Sequence, residues 1–307
     1  MDVLTLILLN VIFPVFVLMG MGIFFHRKFH FNLDTLSKIT TYYFIPTVGF
    51  VNIYESEING KILLQVIGFQ LTLCVALMIV SSLISKLIKL DKGMSANFKN
   101  SIVLVNSGNF GLPVSQLVFS QNPLGLSIQI VVTVIQGFVT YTYGLINSVS
   151  VNSKGVKVFY EFIKMPMIYA LFLGMLLQGV NVKIPEFIWS PIESVSDAFL
   201  AMALLTLGAQ VAYIKIKRIS LVLILSCFGR LILAPIIALV IIYTFQLEGT
   251  TAQALFIASS YPSSRNSAQL ALEYKNYPEF AGQTVLVSTL LSSVTVTIIV
   301  YVSKIIF

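Results

Sequence analysis

The 307-residue chain is 57% hydrophobic and only 10% charged, with a mean hydropathy of +0.93. That much apolar surface exceeds what a water-soluble core of this length can hide, which excludes an ordinary soluble domain. The formal net charge of +7 raises nucleic acid as a partner, but the basic residues sit between apolar runs and read as orientation signals, so no nucleic-acid role is expected.

A bilayer core of roughly 30 Å needs about 20 mostly apolar helical residues. Ten such runs follow one another, at approximately 3–25, 36–54, 62–85, 98–119, 124–147, 166–181, 192–213, 219–246, 252–273 and 280–305. They are continuous and nearly twice the length of the roughly ten-residue alternating segments of a membrane barrel, so the expected fold class is all-α integral membrane. The first run is expected to be the first helix and not a signal peptide: Asp2 stands where a basic region belongs, the run is too long, and no small-residue cleavage site follows.

Lys and Arg concentrate in alternate connections. Arg27, Lys28 and Lys38 follow the first run, Lys86, Lys89, Lys92 and Lys99 the third, Lys154, Lys157 and Lys164 the fifth, Lys215, Lys217 and Arg218 the seventh, and Lys275 the ninth. The other connections and the C-terminus offer Lys61, Lys183 and Lys304. By the positive-inside rule the odd connections are cytoplasmic and both termini lie outside, with contact to anionic membrane lipids a weaker second reading. His26 and His30, beside Arg27 and Lys28, are expected at a solvated interface. Cys74 and Cys227 fall in apolar runs without metal-like spacing and read as small buried hydrophobes. Neither a metal nor a cofactor is expected.

The polar stretch Ser148–Lys164, SVSVNSKGVKVFYEFIK, separates five runs from five more. Pro14 and Pro113 stand 99 residues apart and Pro166 and Pro262 stand 96 apart. Irregular points thus recur at matched offsets in two halves, as in an inverted repeat, because an odd number of spans per half inserts the second half upside down.

The fourth run contains VNSGNFGLPV, Val105–Val114, and the ninth contains SSYPSSRNSAQ, Ser259–Gln269. Pro113 lacks an N–H and obstructs the carbonyl four residues earlier, so an interruption is expected near Gly108–Leu112. In the ninth run Pro262 suits the first position of a new half-helix, with serines able to cap it. Freed backbone groups at that depth must pack in protein or line a wet cavity. Asn106, Asn109, Ser263, Ser264, Asn266 and Ser267 suit a cavity, and two crossing breaks would aim half-helix N-termini at one anion site. Arg265 and Arg230 each lie ten or so residues from a cytoplasmic helix end, roughly 15 Å deep at 1.5 Å per residue. With no carboxylate expected at that depth, carbonyls at helix ends are the expected partners of Arg230, while Arg265 is a candidate for an anionic substrate.

Several pieces taken in order resemble the auxin efflux carrier family, including plant PIN-FORMED carriers and bacterial malate-permease-like relatives. They are YYFIPTVGF (Tyr42–Phe50), Asn106 with Gly111 and Pro113, QIVV (Gln129–Val132), LAMALLTLG (Leu200–Gly208), and Pro262 followed by LALEY (Leu270–Tyr274). The resemblance implies a ten-helix 5+5 inverted repeat with crossed fourth and ninth helices. A scaffold would comprise residues 1–60 and 160–217, and a mobile transport unit residues 61–148 and 218–307, with 149–164 as the cytoplasmic joint. It further implies a homodimer formed through the scaffold and a small organic anion carried by an elevator-like displacement. The expected binding residues are Asn106, Asn109, Gly111, Pro113, Pro262, Ser263, Ser264, Arg265 and Asn266, supported by Arg230, Gln129 and Pro46. The chain departs from plant members in having no acidic residue in the third helix, in reading SSRNS after Pro262, and in lacking their long central loop. A compact carboxylate such as malate therefore suits it better than auxin. A sodium-coupled organic-anion symporter of the bile-acid type is the alternative within transport, and a membrane receptor or sensor the alternative outside it. No catalytic constellation suggests an enzyme.

Overall fold

A computed structural model describes residues 8–55, 58–148, 166–213 and 219–307. The expected joint at 149–164 and the basic residues Lys215, Lys217 and Arg218 fall outside the described residues. All ten apolar runs are helical in the parts described. Six stretches are long and apolar enough to cross a membrane: Leu9–Phe29, Gly60–Leu87, Pro123–Ser148, Glu186–Val211, Leu221–Thr244 and Pro278–Ile306. The second run is a helix built from Leu33–Ile39, Thr40–Phe44 and Ile45–Tyr54, the sixth is the shorter Pro166–Gly179, and the fourth and ninth are each broken in two.

In chain order the elements used below are α1 (Phe13–Phe29), α2 (Leu33–Ile39), α3 (Ile45–Tyr54), α4 (Gly60–Leu87), α5 (Lys92–Val103), α6 (Leu112–Val118), α7 (Pro123–Val139) and α8 (Leu145–Ser148). They continue as α9 (Pro166–Gly179), α10 (Glu186–Val211), α11 (Leu221–Phe228), α12 (Ala234–Thr244), α13 (Gly249–Ser259), α14 (Arg265–Glu273) and α15 (Pro278–Ile306). Five-residue π-helical turns precede α1, α3, α6, α8 and α12. Four of them end two residues before a proline, at Pro14, Pro46, Pro113 and Pro235. A proline ring cannot share a tight turn with the carbonyl four residues back, and the wider turn makes room for it without ending the helix.

Large apolar side chains such as Leu64, Val75, Ile79 and Leu83 on α4 and Ile236, Val240 and Tyr243 on α12 point outward, as a lipid-facing surface requires. Polar side chains go inward instead, among them Gln70, Thr206, Ser226 and Ser292. The tightest packing joins α1 to α10, where a Cβ on Gly22 would stand 2.1 Å from the Leu205 carbonyl oxygen and one on Gly208 would stand 2.0 Å from that of Met19. Backbones this close tolerate no side chain, the small-residue device by which membrane helices gain van der Waals contact. Similarly α3 lies along α9, and α7 lies between α4 and α13.

At the helix ends, Asp91 caps α5 by accepting the Met94 and Gly93 N–H groups at 3.0 Å each, and the Tyr277 hydroxyl donates to it at 3.1 Å. The Met94 N–H foremost, with these other donors, holds the Asp91 carboxyl below its ordinary range. Arg27 donates from Nε and Nη2 to the Ala212 carbonyl just past α10, at 3.2 and 2.9 Å. The neighbouring histidine corrects an expectation: His26 is buried, packed edge-on to Tyr213 at a ring separation of 5.2 Å, because α1 runs on to Phe29 and carries His26 inside the bundle instead of to its solvated end.

Candidate substrate cavity at the crossing of two interrupted helices

In the fourth run α5 ends at Val103, and the next residues are extended. The Asn106 N–H, which a continuing helix would direct to the Ile102 carbonyl, donates to the Pro262 carbonyl at 2.9 Å. From the other chain segment, the Ser264 N–H donates to the Leu104 carbonyl at 2.8 Å, and Val105 and Ser263 face each other as an antiparallel pair. The two breaks therefore cross and satisfy each other's main chain, as an apolar surrounding demands.

This crossing moves both expected boundaries. The first interruption lies at Leu104–Asn106 and not at Gly108–Leu112, since Ser107–Gly111 continues as a wide turn into α6. Gln129 Nε2 and Thr133 Oγ1 hold that turn by donating to the Ser107 carbonyl at 2.9 and 3.2 Å. Pro262 does not start the second half-helix: it lies in the extended crossing, while Ser264 caps α14 by accepting the Asn266 N–H at 3.2 Å and Arg265 takes the first helical position.

Beside the crossing is a cavity of about 250 Å³. Asn106, Asn109, Ser264, Arg265 and Asn266 line its end at the crossing, Thr133, Gln136 and Thr140 line it from α7 and the turn that follows, and Ser37 and Tyr42 line it from α2 and the turn after it, where the exposed Asp34 and Lys38 mark its mouth. Two amide atoms there, Asn106 Nδ2 and Asn109 Oδ1, are buried without a hydrogen-bond partner among the described residues. Asp34 and Lys38 pair with each other at 2.6 Å. Arg265 Nη1 instead donates to a neutral group, Ser37 Oγ, at 2.8 Å. The first turn of α14 also brings its partial positive charge to this end.

Of the nine expected binding residues, Asn106, Asn109, Ser264, Arg265 and Asn266 thus come together around the cavity. Gly111, Pro113, Pro262 and Ser263 are buried behind it. A Cβ on Gly111 would stand 2.6 Å from Gln129 Nε2 and 2.7 Å from the Tyr261 ring, so glycine there lets α6 approach α7 and the crossing. Ser263 Oγ donates to the Ser101 carbonyl at 2.6 Å, and the Ser263 N–H donates to Ser288 Oγ at 3.2 Å. Among the supporting residues, Gln129 braces the wide turn, Pro46 lies in the first turn of α3 away from the cavity, and Arg230 lies beneath the crossing with its guanidinium on helix-end carbonyls.

Thr133, Gln136 and Thr140 were missed by the sequence reading, although with Gln129 they form a polar stripe at helical spacing in an otherwise apolar run, a signal that was available. Ser37 carried no such signal, since its importance comes from meeting Arg265 across 228 residues of chain.

A polar cavity beside two mutually paired helix breaks, in a chain with six helices long and apolar enough to cross a membrane, fits a multi-pass membrane protein. Comparison with known families agrees with that class. A family model described as membrane transport protein matches residues 7–300, and the chain belongs to this family, that of the auxin efflux carriers and PIN-like transporters. No curated protein gives a significant match.

Proposed function

We propose that the protein carries small organic anions, compact carboxylates such as malate, across the cell membrane by alternating access. The observation that carries this reading is Arg265, set at the start of α14 and lining the cavity while hydrogen-bonded to a neutral hydroxyl. A carboxylate would accept from the guanidinium and from Asn106 Nδ2, the latter buried without a hydrogen-bond partner among the described residues. At about 250 Å³ the cavity lies just below the roughly 300–1,000 Å³ of drug-sized pockets, which favours a compact solute.

The ten-helix 5+5 inverted repeat remains part of this proposal. It is supported by breaks at matched positions and by the reciprocal packing of α1 on α10 and α9 on α3, each joining the first helix of one half to the second of the other. Ser37 suggests how binding would be linked to an elevator-like movement. Its Oγ receives Arg265 Nη1 at 2.8 Å and Gln210 Nε2 at 3.0 Å while donating to the Leu33 carbonyl at 2.6 Å. Arg265 belongs to the proposed transport unit and both partners to the scaffold, so a carboxylate that claims Arg265 loosens a link between them. With the basic connections cytoplasmic, the mouth beside Asp34 and Lys38 faces inward, and a homodimer would form through the scaffold.

Counterflow of labelled dicarboxylates in proteoliposomes tests the proposal. The wild type is expected to exchange a four-carbon dicarboxylate, with Asn106→Ala slowing exchange by roughly tenfold through loss of one charge-assisted hydrogen bond. No exchange of any organic acid by folded wild type, or unchanged exchange in the variant, rejects the site.

A further inference from the structure

The two helix breaks create a polar problem that the crossing alone leaves unsolved. In an unbroken helix the Ile102 carbonyl accepts from residue 106 and the Ser259 carbonyl from residue 263. Here the Asn106 N–H goes to Pro262 and the Ser263 N–H to Ser288 Oγ, so each half-helix ends on a carbonyl whose usual partner has been taken. Both carbonyls are collected by one side chain. Arg230 donates from Nη1 to the Ile102 oxygen at 2.7 Å and from Nη2 to the Ser259 oxygen. The residue is 1% exposed, comes from the wide turn Gly229–Leu233, and has no ion-pair partner among the described residues.

Two helix C-termini of 12 and 11 residues, α5 and α13, thus bring their partial negative charges together on a buried cation. Such paired C-terminal ends and unwound carbonyls are where carriers with broken helices hold a coupling sodium ion. We propose that Arg230 is a tethered cation that occupies this place permanently, so that the protein assembles its crossing and moves its solute without binding a metal cation there. A guanidinium keeps its proton under physiological conditions, so this position does not act as a proton carrier either. Arg230 does not line the cavity, which separates its role from that of Arg265: one guanidinium closes the scaffold of the crossing and the other faces the solute.

The inference about flux rests on the carrier reading, but the principal test does not. Purified full-length wild type is expected to melt at the same temperature when sodium is replaced by N-methylglucamine. Arg230→Ala should melt lower by roughly 5 °C or more, and free guanidinium or sodium ions at millimolar concentrations should restore at least half of the loss by mass action, whereas tetramethylammonium should not. Arg230→Lys, which keeps a tethered charge, should melt above the alanine variant and respond little to added ions. An alanine variant equally insensitive to all these ions, or a wild type stabilised by sodium, overturns the proposal. If the alanine variant does not fold, the wild-type sodium comparison and a lysine variant rescued by free guanidinium decide against it by the same logic. Sodium replacement in the counterflow assay supplies the second arm: a wild-type rate that falls more than about threefold without sodium rejects the tethered-cation reading. Absence of any flux together with ion rescue of Arg230→Ala rejects only the carrier reading.

Discussion

Replacing Arg265 with glutamine should separate binding from stability. In the free protein the guanidinium has one side-chain hydrogen bond, to Ser37 Oγ at 2.8 Å, a contact worth about 1 kcal/mol. Against it stands the cost of an arginine at the membrane depth expected from the sequence, about 2.5–3.5 kcal/mol on insertion scales, part of which the polar cavity and the nearby Asp34 carboxylate relieve. Arg265→Gln removes that cost and keeps a donor near Ser37, so the ligand-free variant is expected to melt at the wild-type temperature or a few degrees above it. The bound state changes in the opposite direction. A charge-assisted hydrogen bond to a carboxylate contributes about 1.5–3 kcal/mol, and at about 1.4 kcal/mol per factor of ten the dissociation constant should rise by roughly 10–100-fold. Thermal unfolding of the purified protein across a dicarboxylate titration measures both quantities in one experiment. A variant that melts several degrees lower without ligand yet binds the dicarboxylate as tightly as wild type would refute the reasoning, since Arg265 would then be a structural residue.

Two other predictions concern the frame around the site. Gly208→Ala places a methyl 2.0 Å from the Met19 carbonyl oxygen, so α1 and α10 must separate, at a cost of about 1–3 kcal/mol, read as a lower melting temperature; Gly20→Ala, where nothing lies within 4 Å, should leave it unchanged. The Asp91 cap should weaken in acid. Because its folded pKa lies below the ordinary range of an aspartate, its ionised form adds stability at neutral pH, and the contribution disappears as pH falls through the folded pKa. The melting-temperature difference between wild type and Asp91→Asn should therefore shrink between neutral pH and about pH 3, and a difference that stays constant would show that the cap's charge has no role.

Much of the candidate cavity's lining was legible because membrane burial makes irregularity expensive. A proline with asparagines, glycines and serines inside an apolar run has to be paired or wetted, which marks Asn106, Asn109, Ser264, Arg265 and Asn266, all of which line the cavity. The same pattern also covers Gly111 and Pro113, which shape the wide turn and the start of α6, and Pro262 and Ser263, which form the crossing; none of the four lines the cavity, because sequence locates a break without showing which of its atoms the partner segment will claim. It also put the first break a few residues late: Pro113 is accommodated by a wide turn, while Leu104–Asn106 leaves the helix to pair with Pro262–Ser264.

The sequence by itself determined that the chain is a helical membrane protein, where its apolar runs lie, and which two of them are interrupted. These follow from composition and local stereochemistry, since lipid leaves a backbone few alternatives to the helix. The tertiary structure alone decided that the breaks pair with each other, that Arg230 closes two helix ends while Arg265 faces the cavity, and that Ser37 meets Arg265. Apart from the bond between Arg230 and Ser259, 29 residues apart, these contacts join residues more than a hundred positions apart, and their partners are chosen by which helices pack side by side, a property that no local pattern in the chain encodes.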